Sequence, residues 1–184
     1  DYLRVVNELR LADGTLWPIP ITLDVSEAFA ATLAPGAEIV LRDAQSVPLA
    51  VLELQDIYRP DRAHEAQQVF GTQDHLHPGV AELLERTRPV YLGGRLRGIQ
   101  QPVHYDFTEL RDSPRTLRAW FEANGWRRVV AFQTRNPMHR AHQELTFRAA
   151  KEVEANLLIQ PVVGMTKPGD VDHYTRVRCY EHLI

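Results

Sequence analysis

The sequence has one cysteine, few lysines and no long hydrophobic run. Its single cysteine, Cys179, excludes an internal disulfide and is typical of a protein of the reducing cytosol. No stretch approaches the roughly 18 apolar residues that a membrane-spanning helix needs, and the first residues carry no basic-then-apolar signal. We therefore expect a cytoplasmic protein with no membrane partner.

The charge is divided unevenly along the chain. Of the 184 residues, 44% are hydrophobic and 24% are charged, which suits a globular chain of one or two domains. Residues 1–126 hold 12 Lys and Arg against 18 Asp and Glu, whereas residues 127–184 hold 9 against 6. The net charge of −3 thus hides a positive C-terminal part, where we expect anions to bind.

The first 110 or so residues are predicted to be mostly β structure. Apolar or alternating runs at 3–9, 16–23, 38–41, 49–57 and 90–92 are separated by Gly, Pro and Asp turns. Asp13-Gly14 predicts a hairpin, Gly93-Gly94 predicts a turn, and Trp17 between apolar residues and prolines predicts an edge strand. Helices are expected at 26–33, 62–70 and 78–86.

A helix is predicted over residues 113–125, because Ser113 is a good cap, a proline follows it and Gly125 ends the pattern. Leu117, Trp120 and Phe121 form an apolar stripe on this helix, which predicts that it packs onto a sheet as part of the core.

A strand over 128–132 then leads into the ten residues Gln-Thr-Arg-Asn-Pro-Met-His-Arg-Ala-His at 133–142. Asn136 is a good N-cap and Pro137 fits the first helical position, so we expect the helix to begin at Pro137. The first N–H groups of a helix lack partners and attract anions.

His139 and His142 would then lie at i and i+3 on one helix face, beside the planar fork of Arg135. This arrangement suits a triphosphate or another tetrahedral oxyanion. A chance pair of histidines and a zinc site are the alternatives. Zinc is disfavoured because helical zinc pairs more often use i, i+4 and no third ligand follows at a known spacing, so no metal site is predicted.

A second strand at 157–163, a loop and a helix from residue 173 follow. Ligands of open α/β sheets bind beyond the carboxyl ends of the strands, where this loop should meet the one at residue 133. Lys167, Arg176 and Arg178 could add positive potential there, and Asp170 or Asp172 could orient phosphates or meet Mg²⁺. The alternative is a simple surface turn.

The segment at 133–142, together with Pro-Val-Val-Gly-Met-Thr-Lys-Pro-Gly-Asp-Val-Asp-His-Tyr-Thr-Arg-Val-Arg at 161–178, resembles ATP sulfurylase (sulfate adenylyltransferase). The resemblance implies a PUA-like β-barrel domain over 1–110 and, over 111–184, the truncated N-terminal part of a Rossmann-like nucleotidylyltransferase α/β catalytic domain. The predicted fold class is therefore α+β followed by α/β.

The resemblance also implies the reaction and its residues. ATP and sulfate would give adenosine 5′-phosphosulfate and pyrophosphate, with Mg²⁺ accompanying the nucleotide. The catalytic residues would be Thr134, Arg135 and Asn136. ATP would be bound by Gln133, Arg135, Asn136, His139 and His142, and sulfate by Gln133 and Arg135. Lys167 and Asp170 would add loop contacts to the phosphates.

Several expectations concern the whole protein. Members of this family continue past the equivalent of Ile184, so we expect a fragment that is inactive alone and a parent that is a homo-oligomer. A bifunctional parent with an adenylylsulfate kinase beyond residue 184 is one alternative, although no P-loop occurs in this chain. A PUA-like RNA-binding module is the other, disfavoured because residues 1–126 are acidic overall and RNA contact needs a basic stripe. No nucleic-acid partner is expected.

Overall fold

The computed structural model describes residues 1–164 and 169–183. The chain forms two compact units, Asp1–Val103 and His104–Ile184, which are described separately below.

The first unit is built on a four-stranded sheet in which every pair is antiparallel and the strand order is β1-β4-β3-β2. The strands are β1 (Asp24–Val25), β2 (Glu38–Arg42), β3 (Pro48–Tyr58) and β4 (Val90–Gly98). One face of the sheet carries the core, which is formed by Val25, Ala30, Leu52, Leu54, Val90 and Leu92. The predicted strands at 38–41, 49–57 and 90–92 are confirmed.

Four helices complete this unit. They are α1 (Tyr2–Glu8), α2 (Glu27–Ala30), α3 (Arg62–Phe70) and α4 (Pro78–Ala81), the last continued by a π-helical turn at Glu82–Arg86. Ser26 caps α2 by accepting from the Phe29 N–H at 3.2 Å, as its position in the sequence predicts. The predicted helices at 62–70 and 78–86 are also confirmed.

The strand expected at residues 3–9 is wrong, because these residues form most of helix α1. Val5 and Val6 are only 3% and 2% exposed, and the Tyr2 hydroxyl donates to Glu65 of α3 at 2.8 Å. Tyr2, Val5 and Val6 follow the i, i+3, i+4 spacing of a helix. This short apolar run has no strong hydrophobic periodicity, so packing against α3 determines that it forms a helix and not a strand.

The strand expected at residues 16–23 is also wrong. Leu16 forms a single antiparallel bridge with Arg10 around the predicted Asp13-Gly14 turn, which is confirmed as a short hairpin. Residues 17–23 have no regular structure. Pro18 and Pro20 cannot donate to a ladder, so the apolar residues around Trp17 do not build an edge strand.

Gly93 and Gly94 do not form the predicted turn but lie within β4, where Gly94 pairs with Leu54 of β3. A β-carbon on Gly94 would lie 2.1 Å from the Glu53 carbonyl oxygen. The register of β3 and β4 shifts between Leu54 and Asp56, next to this close approach. The glycine is therefore required by space at a bulge, and the same residue type would also have suited a turn.

The second unit contains two parallel strands and three α-helices among its described residues. The strands β5 (Val129–Thr134) and β6 (Asn156–Pro161) pair in parallel from Val129–Asn156 to Thr134–Pro161. The helices are α5 (Pro114–Ala123), α6 (Arg140–Glu152) and α7 (His173–Glu181), and a 3₁₀ turn lies at Thr108–Leu110. The order of elements is that of an α/β fold, and the predicted strands and helices of this region are confirmed except at the start of α6.

Helix α5 begins as predicted, with the Ser113 hydroxyl accepting from the Thr116 N–H at 3.1 Å. Its predicted role in the core is wrong, because no residue of α5 is buried. Trp120 is 48% exposed and packs edge-on against Trp126 at 4.9 Å, while Phe121 stacks on Trp126 at 5.4 Å. The apolar stripe thus forms a local aromatic cluster.

Within residues 1–164 and 169–183, no helix combines the length and the apolar character that crossing a membrane would require.

Candidate active site

The predicted site residues that the structure describes lie at one edge of the β5–β6 pair. Strand β5 ends at Thr134 and β6 ends at Pro161, and the Val162 N–H donates to the Thr134 carbonyl oxygen at 3.0 Å. Because the strands are parallel, the loops that follow them leave the sheet at the same edge. The structure thereby brings together the two sequence segments that were singled out.

Helix α6 begins at Arg140 with His139 as its N-cap, so the predicted start at Pro137 with an Asn136 cap is wrong. The backbone from Arg135 to Met138 is held outside the helix by tertiary contacts. The Tyr180 hydroxyl donates to the Asn136 carbonyl oxygen at 2.9 Å, and the Thr134 hydroxyl accepts from the Asn136 N–H at 3.1 Å. Met138 is only 7% exposed and anchors the segment.

Because α6 starts at Arg140 and not at Pro137, its free N–H groups lie next to the histidines. The N-cap residue His139 makes no side-chain capping hydrogen bond to the first turn of α6. The first intrahelical bond runs from the Gln143 N–H to the His139 carbonyl oxygen at 3.1 Å. The N–H groups of Arg140, Ala141 and His142 therefore have no acceptor inside the helix. They open beside the two imidazoles, which is the arrangement that favours phosphate or sulfate.

The two histidine rings are in contact in a tilted arrangement. Their ring centroids are 3.9 Å apart with an angle of 33° between the ring planes, and the His142 ring lies 5.9 Å from Phe132 of β5. His139 is exposed, whereas Nδ1 of His142 is buried and has no hydrogen-bond partner among the described residues. A buried polar atom without a partner is costly and marks a position where a bound group could supply the missing bond.

The Arg135 guanidinium forms an ion pair with Asp170. Both Nε, at 3.2 Å, and Nη2, at 2.8 Å, donate to the same carboxylate oxygen. The Arg135 side chain is 38% exposed and that of Asp170 is 22% exposed, so the pair lies at the surface of the site. The guanidinium thus already holds an anionic oxygen at the position predicted for an oxyanion.

The remaining predicted residues have different positions. Gln133 is exposed at the end of β5, and Thr134 is half-buried with its hydroxyl committed to the backbone. Lys167 lies outside the described residues. Asp172 is the N-cap of α7, where its carboxylate accepts from the Thr175 N–H at 3.0 Å. That hydrogen bond holds the pKa of Asp172 below its ordinary value.

Arg176 does not add positive potential at the surface as expected. It is only 2% exposed, and its guanidinium donates to the carbonyl oxygens of Val162 and Val171. Arg178, two residues on, is exposed. The sequence analysis missed this inward orientation, and it missed Tyr180 altogether. The i, i+4 spacing of Arg176 and Tyr180 was the available signal.

Asp106 is a second residue that the sequence analysis missed. Its carboxylate contacts Nε2 of His173 at 2.6 Å and accepts from Nη2 of Arg111 at 2.6 Å. The bonds from His173 and Arg111 hold the pKa of Asp106 below its ordinary value. Asp106 thereby ties the chain that enters the second unit to the first residue of α7.

Among the described residues, no group of three or more His, Cys, Asp or Glu side chains is placed to hold a metal ion.

Comparison with known proteins decides the family. Residues 1–101 match the family described as PUA-like domain, and residues 108–184 match the family described as ATP-sulfurylase. The chain therefore belongs to the PUA-like domain family through residues 1–101, and its residues 108–184 are similar to the ATP-sulfurylase family. The fold is accordingly a PUA-like domain with an antiparallel sheet, followed by an α/β region with a parallel sheet.

Curated relatives and a solved structure agree with this assignment. The chain is 54% identical over 184 residues to sulfate adenylyltransferase of Saccharomyces cerevisiae, and the match covers 100% of this chain and 36% of that protein. It is 55% identical over 187 residues to sulfate adenylyltransferase of Schizosaccharomyces pombe, and the match covers 100% of this chain and 38% of that protein. A structure described as a hexameric APS kinase from Thiobacillus denitrificans matches with a TM-score of 0.71 at 34% identity, covering 97% of this chain and 31% of that chain. The chain thus spans a little over a third of the length of these curated relatives.

Proposed function

We propose that this chain is the N-terminal part of a sulfate adenylyltransferase that joins ATP and sulfate. In this proposal residues 1–110 form the PUA-like domain, and residues 111–184 begin a Rossmann-like nucleotidylyltransferase domain. The fragment alone lacks the rest of the catalytic domain and is inactive. The single cysteine, which excludes an internal disulfide, supports a cytoplasmic location.

One observation carries the proposal. The arginine, the histidine pair and the free N–H groups of α6 meet at one sheet edge, inside the segment that matches the ATP-sulfurylase family. We assign sulfate binding to Gln133 and Arg135. We assign ATP binding to Gln133, Arg135, Asn136, His139 and His142, and the catalytic set is Thr134, Arg135 and Asn136.

The chemistry that these residues must support is the meeting of two anions. A sulfate oxygen attacks the α-phosphorus, a new P–O bond forms, the bond from the α-phosphorus to the bridging oxygen breaks, and pyrophosphate leaves. Sulfate is itself the nucleophile, so no side chain has to become one. Fixed donors that screen the repulsion and hold the reactants in line should supply most of the rate enhancement.

The Arg135–Asp170 ion pair has a defined place in this scheme. The carboxylate occupies the guanidinium fork that sulfate would use, so sulfate binding requires Arg135 to exchange one oxyanion for another. A pair that is partly exposed is weak enough to be exchanged.

Mg²⁺ enters as part of the nucleotide substrate. The described residues offer no cluster of carboxylates that could form a dedicated cage, and Mg²⁺ is commonly held by one or two carboxylates together with substrate phosphates. Lys167 and Asp170 are assigned to the phosphate side of the site.

The test is sulfate-dependent pyrophosphate release by the full-length parent. Arg135→Ala and His142→Ala should each lower kcat/KM by on the order of 10² or more, because each removes a donor to developing charge. Arg148→Ala is the matched control, since Arg148 is exposed on α6 and pairs only with Glu144 among the described residues. Wild-type rates in both site variants would overturn the assignment.

The proposed partners are ATP, sulfate and further copies of the same chain in a homo-oligomer. A parent fused to an adenylylsulfate kinase is the alternative. The structural match to a chain described as a hexameric APS kinase favours testing it. Formation of 3′-phosphorylated adenylylsulfate from ATP and sulfate by the parent alone would establish the bifunctional enzyme, and arrest at adenosine 5′-phosphosulfate would exclude it.

RNA binding by the PUA-like unit is disfavoured by its surface charges. Four exposed arginines of this unit are paired with glutamates, as Arg4–Glu8, Arg59–Glu27, Arg86–Glu82 and Arg97–Glu38. A surface that neutralises RNA phosphates needs unpaired basic groups in a stripe. A salt-dependent shift of labelled RNA at micromolar protein that survives loss of His139 would support the RNA-binding alternative.

A further inference from the structure

Helix α7 supports both loops of the candidate site through two buried polar side chains. Arg176 and Tyr180 lie at i and i+4 on one face of α7 and are 2% and 3% exposed. Neither residue lies in the 133–142 segment from which the site was predicted. Their polar atoms point at the backbone of the two loops that leave the β5–β6 edge.

Tyr180 fixes the first loop. Its hydroxyl donates to the Asn136 carbonyl oxygen at 2.9 Å, on the opposite side of the residue from the Asn136 N–H, which donates to Thr134 at 3.1 Å. Asn136 is therefore held at both its backbone polar groups outside any helix. This contact keeps α6 from starting at Pro137 and leaves His139 at the N-cap.

Arg176 fixes the two ends of the second loop. One guanidinium nitrogen donates to the Val162 carbonyl oxygen just after β6, and Nη2 donates to the Val171 carbonyl oxygen at 2.6 Å just before α7. Asp170, the neighbour of Val171, is the residue that holds Arg135. The position of Arg135 therefore depends on Arg176 through Val171 and Asp170.

The burial of Arg176 is costly for folding. Its partners among the described residues are neutral carbonyls, and Nε is buried without a hydrogen-bond partner. A buried charge without a carboxylate, and with an unsatisfied N–H, destabilises a fold relative to an apolar side chain of similar volume. Stability alone therefore does not account for an arginine here, whereas bridging two carbonyls from one side chain requires its fork of donors.

We propose that Arg176 and Tyr180 are positioning residues of the adenylyl-transfer site. Arg176 acts through Asp170 on Arg135, which is one of two residues assigned to sulfate but one of five assigned to ATP, and Tyr180 acts through Asn136, which is assigned to ATP alone. This proposal rests on the function proposed above. It divides the support of the site between two side chains of one helix. Each variant should therefore disturb one substrate more than the other.

The experiment measures kcat and the KM values for sulfate and for ATP in the full-length parent. Arg176→Lys keeps the charge but can reach only one carbonyl, and it should raise the sulfate KM by about 10-fold or more with a smaller change in the ATP KM. Tyr180→Phe removes a single hydroxyl, and it should raise the ATP KM by about 10-fold with a smaller change in the sulfate KM. Glu181→Gln, an exposed change on the same helix, should leave both KM values within about twofold.

The opposing outcomes are distinct. Equal shifts in both KM values for both variants, or values like those of Glu181→Gln, would overturn the positioning roles while leaving the proposed function intact. An inactive wild-type parent would overturn the proposed function itself. If Arg176→Lys fails to fold, Tyr180→Phe decides, because the loss of one hydroxyl from a buried tyrosine leaves its packing in place.

Discussion

The two units differ in how much of their apolar surface they bury. In the first unit, Leu54 is 1% exposed and Val80 and Tyr91 are 0% exposed. In the second unit, Trp120 is 48% exposed and Leu145 is 61% exposed, and no residue of α5 is fully buried. A two-stranded parallel sheet needs cover on both faces. The first unit therefore carries its own core, whereas the described part of the second leaves apolar surface that the rest of a longer chain could cover.

The largest expected difference is in the cost of removing a leucine. Leu54→Ala should lower the free energy of unfolding of the first unit by about 2–5 kcal/mol, since it leaves a cavity in a packed core. Leu145→Ala on α6 should change stability by no more than about 0.5 kcal/mol in the 184-residue chain. Urea unfolding followed by amide hydrogen exchange reports the two units separately. Equal losses for the two variants would mean that the second unit has a core of its own.

The same contrast explains which elements could be predicted from sequence. The predicted elements are confirmed where a strong hydrophobic periodicity and clear turn or capping residues indicate the same structure, as at 38–41, 49–57 and 62–70. The strand predicted at 3–9 is wrong, since a short apolar run fits a strand or a helix equally well and packing against α3 favours the helix.

The site divides in a similar way. The residues proposed to face the substrate were assigned from the resemblance of the string at 133–142 to a known family, and their roles stay a prediction. The start of α6 could not be predicted from Asn136 and Pro137, because a hydroxyl 44 residues later, on Tyr180, holds the backbone outside the helix. Nothing in the local sequence signals such a contact. Arg176 was assigned to the surface for the same reason, since the direction of a side chain depends on neighbours that are distant in sequence.

A second comparison concerns glycines. Gly94 of the first unit is required by close packing, because a β-carbon there would lie 2.1 Å from the Glu53 carbonyl oxygen. A β-carbon on Gly98 of the same strand would have no atom within 4 Å apart from its chain neighbours. Gly94→Ala should therefore cost about 1–3 kcal/mol in unfolding free energy. Gly98→Ala should be within about 0.5 kcal/mol of wild type. In the second unit Gly125 also has open space around it, and its φ of 69° is what favours glycine.

Thermal or urea unfolding of both variants measures this difference. A Gly94→Ala protein as stable as Gly98→Ala would show that β3 and β4 can separate at the bulge, and that the tight fit of the first unit is not rigid there.

The smallest expected effect is in the pH dependence of stability, where the units have opposite signs. Glu65 in the first unit is 6% exposed and accepts from Tyr2 at 2.8 Å and Tyr91 at 3.3 Å. Burial raises its pKa above the ordinary value, against the opposing effect of these hydrogen bonds. Its stability contribution is therefore fully present below the ordinary pKa of a glutamate and is lost as the pH rises through the raised pKa.

Asp172 in the second unit has the opposite sign, because its capping bond lowers its pKa and its contribution is lost as the pH falls through that lowered value. Glu65→Gln should remove the decline in stability of the first unit above about pH 4.5, the region where the glutamate would otherwise ionise. Asp172→Asn keeps a capping oxygen and should remove only the acid-side loss in the second unit. Urea unfolding of each unit measured from about pH 2 to about pH 8 would separate the two, because the window then includes the region below the ordinary pKa of an aspartate. A Glu65→Gln protein with an unchanged pH slope would mean that the tyrosine hydroxyls, by donating to the carboxylate, already offset its burial.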